Sequence, residues 1–153
     1  MKQLKWLLCV SLLTLLQLSA RADVALTFGN FSTRNDSQTT FGWSFTLASP
    51  LQVTDLGYFD LFSDGLTDAH QVAIWTSAGG APLISATIPA GTGASLLNGV
   101  RYVAISPFTL PAGTYTIGGF SQTNSDAVAA EDSSISTAPG ITYNGARSAQ
   151  ARH

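Results

Sequence analysis

The 153-residue sequence is short of cysteine, lysine and histidine, and each shortage excludes a class of chemistry. The single cysteine is Cys9, so no intramolecular disulfide can form. Both lysines, Lys2 and Lys5, stand at the very start of the chain. The two histidines, His70 and His153, are too few for a typical catalytic zinc site, which takes three protein ligands.

Motifs for catalysis are also missing. The sequence contains no Gly-x-Ser-x-Gly elbow, no His-Glu-x-x-His pair and no phosphate-binding glycine loop ahead of a helix. A glycosidase needs two carboxylates across a cleft, yet the only glutamate, Glu131, lies in a segment without clear secondary-structure pattern. The sequence therefore predicts a protein that is not an enzyme.

The first 22 residues have the three parts of a cleavable signal peptide. Lys2 and Lys5 precede an apolar run at 6–18, and small residues at 20 and 22 permit a cut between Ala22 and Asp23. The run is about 13 residues long, shorter than the roughly 20 that span a bilayer. We expect a helical signal peptide over 1–22 and a secreted, periplasmic or extracellular product without a stable membrane anchor.

The remaining 131 residues form an acidic chain without lysine. Four arginines oppose nine carboxylates, which gives a net charge of −5. Such a chain is poorly suited to bind nucleic acid, because that affinity depends on cations that neutralise phosphates. Export without disulfides is more typical of a bacterium than of an animal secretome.

Short runs in which apolar and polar residues alternate, bounded by turn residues, predict an all-β fold. The predicted strands are 24–28, 40–47, 51–59, 70–76, 83–88, 100–105 and 114–120, with 141–143 as one further short strand. The alternation slips at Thr54-Asp55, which indicates a bulge. Residues 29–37 are predicted to form a loop. We expect one antiparallel β-sandwich domain over 23–143, jelly-roll-like with seven or eight strands, and a disordered tail over 144–153.

Several motifs resemble a family of exported bacterial β-sandwich proteins of unknown function. They are FGWSFT at 41–46, VTDLGYFD at 53–60, DGL at 64–66, HQVAIW at 70–75, ATIPAG at 86–91, RYV at 101–103 and LPAGTY at 110–115. The resemblance covers about residues 38–120. It implies the sandwich fold and export, but no activity. Members often carry a C-terminal PEP-CTERM sorting signal, whereas residues 145–153 read GARSAQARH and contain no Pro-Glu-Pro.

An acidic loop is the first candidate site. Asp60, Asp64 and Asp68 fall within nine residues, and Gly65 follows the second of them. Calcium prefers several oxygen ligands, so the loop predicts a calcium site, with calcium as the one possible cofactor. The alternative is turn and capping chemistry, because the spacing is not that of an EF-hand. For His70 we favour a hydrogen-bonded residue at a strand end over a metal ligand.

Trp75 and Arg101 are the candidate ligand-binding residues. Trp75 alternates with Val72 and Ile74 and so lies on the opposite face of its strand, where an exposed indole could stack on a sugar. Arg101 could anchor a carboxylate or an acidic sugar. The alternatives are packing for Trp75 and an ion pair with an aspartate for Arg101.

These observations predict a non-catalytic exported module that acts by binding or by structure in the extracellular matrix or cell envelope. The expected partners are extracellular polysaccharide or other envelope components. One alternative is a calcium-stabilised structural domain. Another is a hydrolase that uses the acidic loop, which would require Asp64, Asp68 and His70 to converge.

Overall fold

A computed structural model describes residues 23–130 and 134–150. The predicted signal peptide at 1–22 and the last three residues of the expected tail lie outside these ranges. The described strands are β1 (Leu26–Thr27), β2 (Ser32–Arg34), β3 (Thr39–Leu47), β4 (Leu51–Phe59), β5 (His70–Thr76), β6 (Ile84–Ile88), β7 (Ser95–Leu97), β8 (Val100–Leu110), β9 (Gly113–Ser121), β10 (Val128–Ala130), β11 (Ser136–Thr137) and β12 (Ile141–Gln150).

All regular structure in the described ranges is β-strand, which confirms the all-β prediction. A five-stranded sheet has the order β12-β3-β9-β5-β6, and a three-stranded sheet has the order β4-β8-β7. Two short ribbons, β1 with β11 and β10 with β2, complete the pairing. Every pair is antiparallel. Across residues 23–130 and 134–150 we find no helix of the length and apolarity that a membrane crossing requires.

The alternation of apolar residues explains the central strands. On β3, Phe45 and Leu47 are buried, and on β5 the same holds for Val72 and Ile74. Side chains two apart on a strand share a face, so each strand contributes one apolar row to the core. The core joins these rows to residues of the three-stranded sheet, among them Leu56 and Leu110. Predicted strands 51–59 and 70–76 coincide with β4 and β5.

The predicted bulge is also present. The register between β4 and β8 shifts between Val53 and Asp55, next to Thr54. On β8 the shift falls around Pro107, which has no N–H to give to a ladder and is tolerated where the pairing is irregular. For this reason β8 continues to Leu110, beyond the end at 105 that the sequence predicted.

Two segments differ from prediction because their strands lack an alternating pattern. The expected loop at 29–37 contains β2, whose three side chains are all exposed and which pairs with β10. The expected disordered tail is strand up to Gln150, since β12 pairs with β3 as far as Gln150 and Thr39. Backbone hydrogen bonds stabilise these strands, so the pattern of their side chains gives little indication that they are strands. With the short ribbons, the described residues contain twelve strands rather than seven or eight.

Candidate functional site

The outward side of the five-stranded sheet is defined by β5. Val72 and Ile74 point into the core, so Gln71, Ala73 and Trp75 point the other way. We call this side the Trp75 face. The position predicted for Trp75, opposite Val72 and Ile74, is confirmed.

A groove of about 280 Å³ lies on the Trp75 face. Its lining residues come from three neighbouring strands: Thr40, Gln71, Ala73, Trp75 and Phe120. Register explains the grouping, since Thr40 on β3 is paired with Phe120 on β9. The sequence indicated Trp75, Gln71 and Ala73, but the strand order was needed to add the other two.

Gly118 lies next to the indole of Trp75 and the side chain of Thr40. Gly118 pairs with Ala73 and with Gly42, so it lies in the middle of the Trp75 face. A Cβ at 118 would stand 3.6 Å from Cζ3 of Trp75 and 2.7 Å from Cγ2 of Thr40. The first distance is an ordinary contact, so the indole lies against β9 at Gly118, whereas the second is too short and requires glycine there unless Thr40 moves. Trp75 packs against the sheet and keeps part of its surface in solvent.

Arg101 lies inside the protein, only 5% exposed. Its Nε donates to Oδ2 of Asp60 at 2.8 Å. Its terminal nitrogens donate to the backbone carbonyls of Thr92, Ala94 and Ser63 at 3.0, 3.2 and 3.2 Å. The alternative kept open for Arg101, an ion pair with an aspartate, is the arrangement in the structure. The guanidinium is thus engaged by protein acceptors rather than presented to a ligand.

The three aspartates of the acidic loop point to different partners. Asp60 pairs with Arg101 and accepts the backbone N–H of Gly65 at 3.1 Å. Asp64 is exposed, and Asp68 accepts a hydrogen bond from the Thr123 hydroxyl. Within the described residues, no three side chains of the His, Cys, Asp and Glu types are grouped so as to hold a metal ion. Calcium binding by Asp60, Asp64 and Asp68 stays a prediction.

His70 forms a buried cluster that the sequence did not reveal. The imidazole is 1% exposed, and the ring of Tyr58 stacks on it with 3.7 Å between centroids. Nδ1 lies 2.9 Å from the carbonyl oxygen of Phe120, and Nε2 lies 2.8 Å from Oδ2 of Asp126. His70 is hydrogen-bonded at the start of β5, as predicted. Its partner Asp126 stands in a segment that carries no sequence pattern.

Asp126 is held as an anion by convergent donors. The backbone N–H groups of Thr67 and Asp68 donate to its two oxygens, each at 2.9 Å. Burial opposes ionisation of Asp126, but these N–H groups and the ring of His70 outweigh it and lower the pKa of the carboxyl. The carboxylate therefore ties the segment after β9 to the residues just before β5.

Tyr58 lies in the same low-dielectric environment as His70. Burial raises the pKa of Tyr58 to about 12, and the charge of Asp126 acts in the same direction. The hydroxyl of Ser121 is near enough to oppose the pKa shift, although the buried phenol makes no hydrogen bond of acceptable geometry. The cluster is thus packed inside the protein, with the His70 imidazole and the Asp126 carboxylate paired to each other.

We compared the chain with protein-family models, curated proteins and solved structures, and none matches it.

Proposed function

We propose that this chain is a non-catalytic exported module that binds extracellular polysaccharide through the Trp75 face, in the extracellular matrix or cell envelope. The observation that carries the proposal is the groove, which Trp75 lines together with the polar residues Gln71 and Thr40. A sugar ring has an apolar C–H face that stacks on an aromatic ring and hydroxyls at its edge. The amide and the hydroxyl supply donors and acceptors for those hydroxyls.

Charge favours a neutral polysaccharide over an acidic one. The chain after residue 22 has a net charge of −5, which repels a polyanion. Arg101 offers no compensating contact, because its guanidinium is buried against Asp60. Recognition would therefore depend on stacking and neutral hydrogen bonds, with little dependence on salt.

The proposed fold is a β-sandwich, jelly-roll-like, in which the five-stranded and three-stranded sheets pack face to face. A Cβ at Gly119, on β9, would stand 2.6 Å from the ring of Tyr58, on β4. The core likewise draws on both sheets. In such a sandwich the Trp75 face is on the outside, available to a long polymer. The signal-peptide pattern and the resemblance to exported β-sandwich proteins of the PEP-CTERM kind support export.

Affinity electrophoresis tests the proposal. Native gels would contain hydroxyethylcellulose as a neutral glucan, alginate as an acidic polymer, or no polymer. We expect the neutral glucan to retard the wild-type protein and Trp75→Ala to remove the retardation, since the substitution deletes the stacking surface. Phe62→Ala is the matched control, because Phe62 is an aromatic 78% exposed in the acidic loop and outside the groove.

The proposal fails if Trp75→Ala is retarded as strongly as the wild type, or if neither polymer retards the wild type. Circular dichroism of each variant separates a lost binding surface from a lost fold.

A further inference from the structure

We infer that the buried His70–Asp126 pair positions the rim of the groove on the Trp75 face. The ligand-binding part of this inference rests on the proposed function, whereas the positioning part concerns the free protein. His70 lies on the core side of β5, opposite the Trp75 face, and the pair is linked to two of the five lining residues. Gln71 follows His70 directly in the chain, and Phe120 supplies the carbonyl that the imidazole contacts.

The contact between His70 and Phe120 lies just beyond the end of the registered pairing between β5 and β9. The registered pairs between β5 and β9 run from Thr76 and Tyr115 to Val72 and Gly119. Beyond that pair, the Nδ1 of His70 reaches the Phe120 carbonyl at 2.9 Å. A side chain thus joins the two strands beneath the rim, past the last registered pair of their backbones.

Asp126 fixes the imidazole that makes this contact. Nε2 of His70 is 2.8 Å from Oδ2 of Asp126, and the same carboxylate accepts the N–H groups of Thr67 and Asp68. Each ring nitrogen faces a protein oxygen, so both edges of the imidazole are held. The stacked ring of Tyr58 prevents the imidazole from tilting. Asp126 and His70 are therefore positioning residues, which act on the ligand only through Phe120 and Gln71.

Substitutions of Asp126 test the inference. Asp126→Ala removes the acceptor of His70 and of two backbone N–H groups. Asp126→Asn keeps an oxygen for the N–H of Thr67, and its amide can donate to Nε2 of a neutral imidazole whose Nδ1–H still donates to Phe120. Only the N–H of Asp68, which shares Oδ2 with His70, loses its acceptor. Asp36→Ala is the matched control, because Asp36 is an exposed carboxylate paired with Arg34 at the surface. All are made in the full chain.

The first readout is the nuclear magnetic resonance spectrum without ligand. In Asp126→Ala we expect three resonances to shift: the backbone amides of Gln71 and Phe120 and the indole N–H of Trp75. In Asp126→Asn the same resonances should lie closer to their wild-type positions. In the wild type, the Nδ1 proton of His70 should exchange slowly. The second readout is affinity for hydroxyethylcellulose, which should fall about tenfold in Asp126→Ala, since a preorganised site is lost, and recover in Asp126→Asn.

Three results would overturn the inference: groove resonances of Asp126→Ala no more displaced than those of Asp36→Ala, an Asp126→Asn variant as perturbed as Asp126→Ala, or rapid exchange of the Nδ1 proton. Each is read from the free protein. Failure of the wild type to bind hydroxyethylcellulose would instead count against the proposed function, so the two failures are distinguishable.

Discussion

Arg101 shows how one buried side chain joins two loops. Its guanidinium binds Asp60 and Ser63 on one side and Thr92 and Ala94 on the other. The two loops also meet through a backbone bridge between Leu66 and Gly91. A single cation therefore joins backbone carbonyl groups of both loops.

Removing that cation should destabilise the protein strongly. We expect Arg101→Met to lower the free energy of unfolding by about 3–5 kcal/mol, because it leaves the Asp60 carboxylate buried without its partner. The double variant Asp60→Leu with Arg101→Met should be less destabilised than Arg101→Met alone, since it removes both charges. Urea unfolding measures each value. Equal midpoints for wild type and Arg101→Met would contradict the assigned role.

Tyr58 should make stability depend on pH in the alkaline range. Its pKa is about 12 in the folded protein and about 10 when unfolded, so only the unfolded chain gains from ionisation between these values. The contribution of Tyr58 is therefore fully present below about pH 10 and is lost as pH rises to about 12, by about 2–3 kcal/mol. Tyr58→Phe should flatten that part of the stability curve. An unchanged slope in the variant would show that the loss has another origin.

At the scale of elements, β12 is the part of the fold that the sequence conceals. Its side chains beyond Tyr143 are small or polar and almost all exposed, so no alternation separates strand from tail. Strands β3, β4 and β5 were predictable because each buries an apolar row. The same limit applies to the candidate site: alternation placed Trp75, but the addition of Thr40 and Phe120 depends on the order of β3, β9 and β5.

His70 illustrates a second reason why part of the site was not predictable. A hydrogen-bonded role followed from its place at the start of β5, yet its partner Asp126 is 56 residues away in a segment of small polar residues. Nothing in the spacing of such a pair distinguishes it from two unrelated surface residues. Tertiary pairing alone brings them together.

Amide hydrogen exchange tests the assignment of β12. Amides between Gly145 and Gln150 that face β3 should be protected, because β12 is registered with β3 from Leu47 to Thr39. The amides of Ala78 and Gly80, in the exposed turn after β5, serve as the reference. If the amides of residues 145–150 exchange as fast as those of the turn, the result would instead support the disordered tail that the sequence predicted.

At the scale of the whole molecule, calcium binding by the acidic loop would have to compete with contacts that two of its aspartates already make. Arg101 already neutralises Asp60, and Asp68 is engaged by Thr123. A melting temperature that is the same in calcium and in excess chelator would show that these contacts prevail over calcium. A rise of several degrees with calcium that disappears in Asp64→Ala would instead support the predicted site at Asp60, Asp64 and Asp68.

The most direct test of the account is a chemical-shift footprint of a neutral β-glucan oligosaccharide on the isotope-labelled protein. The account predicts that the largest shifts fall on Thr40, Gln71, Ala73, Trp75 and Phe120, which line the groove. Residues of the three-stranded sheet and the acidic loop should remain unchanged. Shifts centred on those other regions, or none at concentrations that retard the protein in a gel, would contradict binding through the Trp75 face.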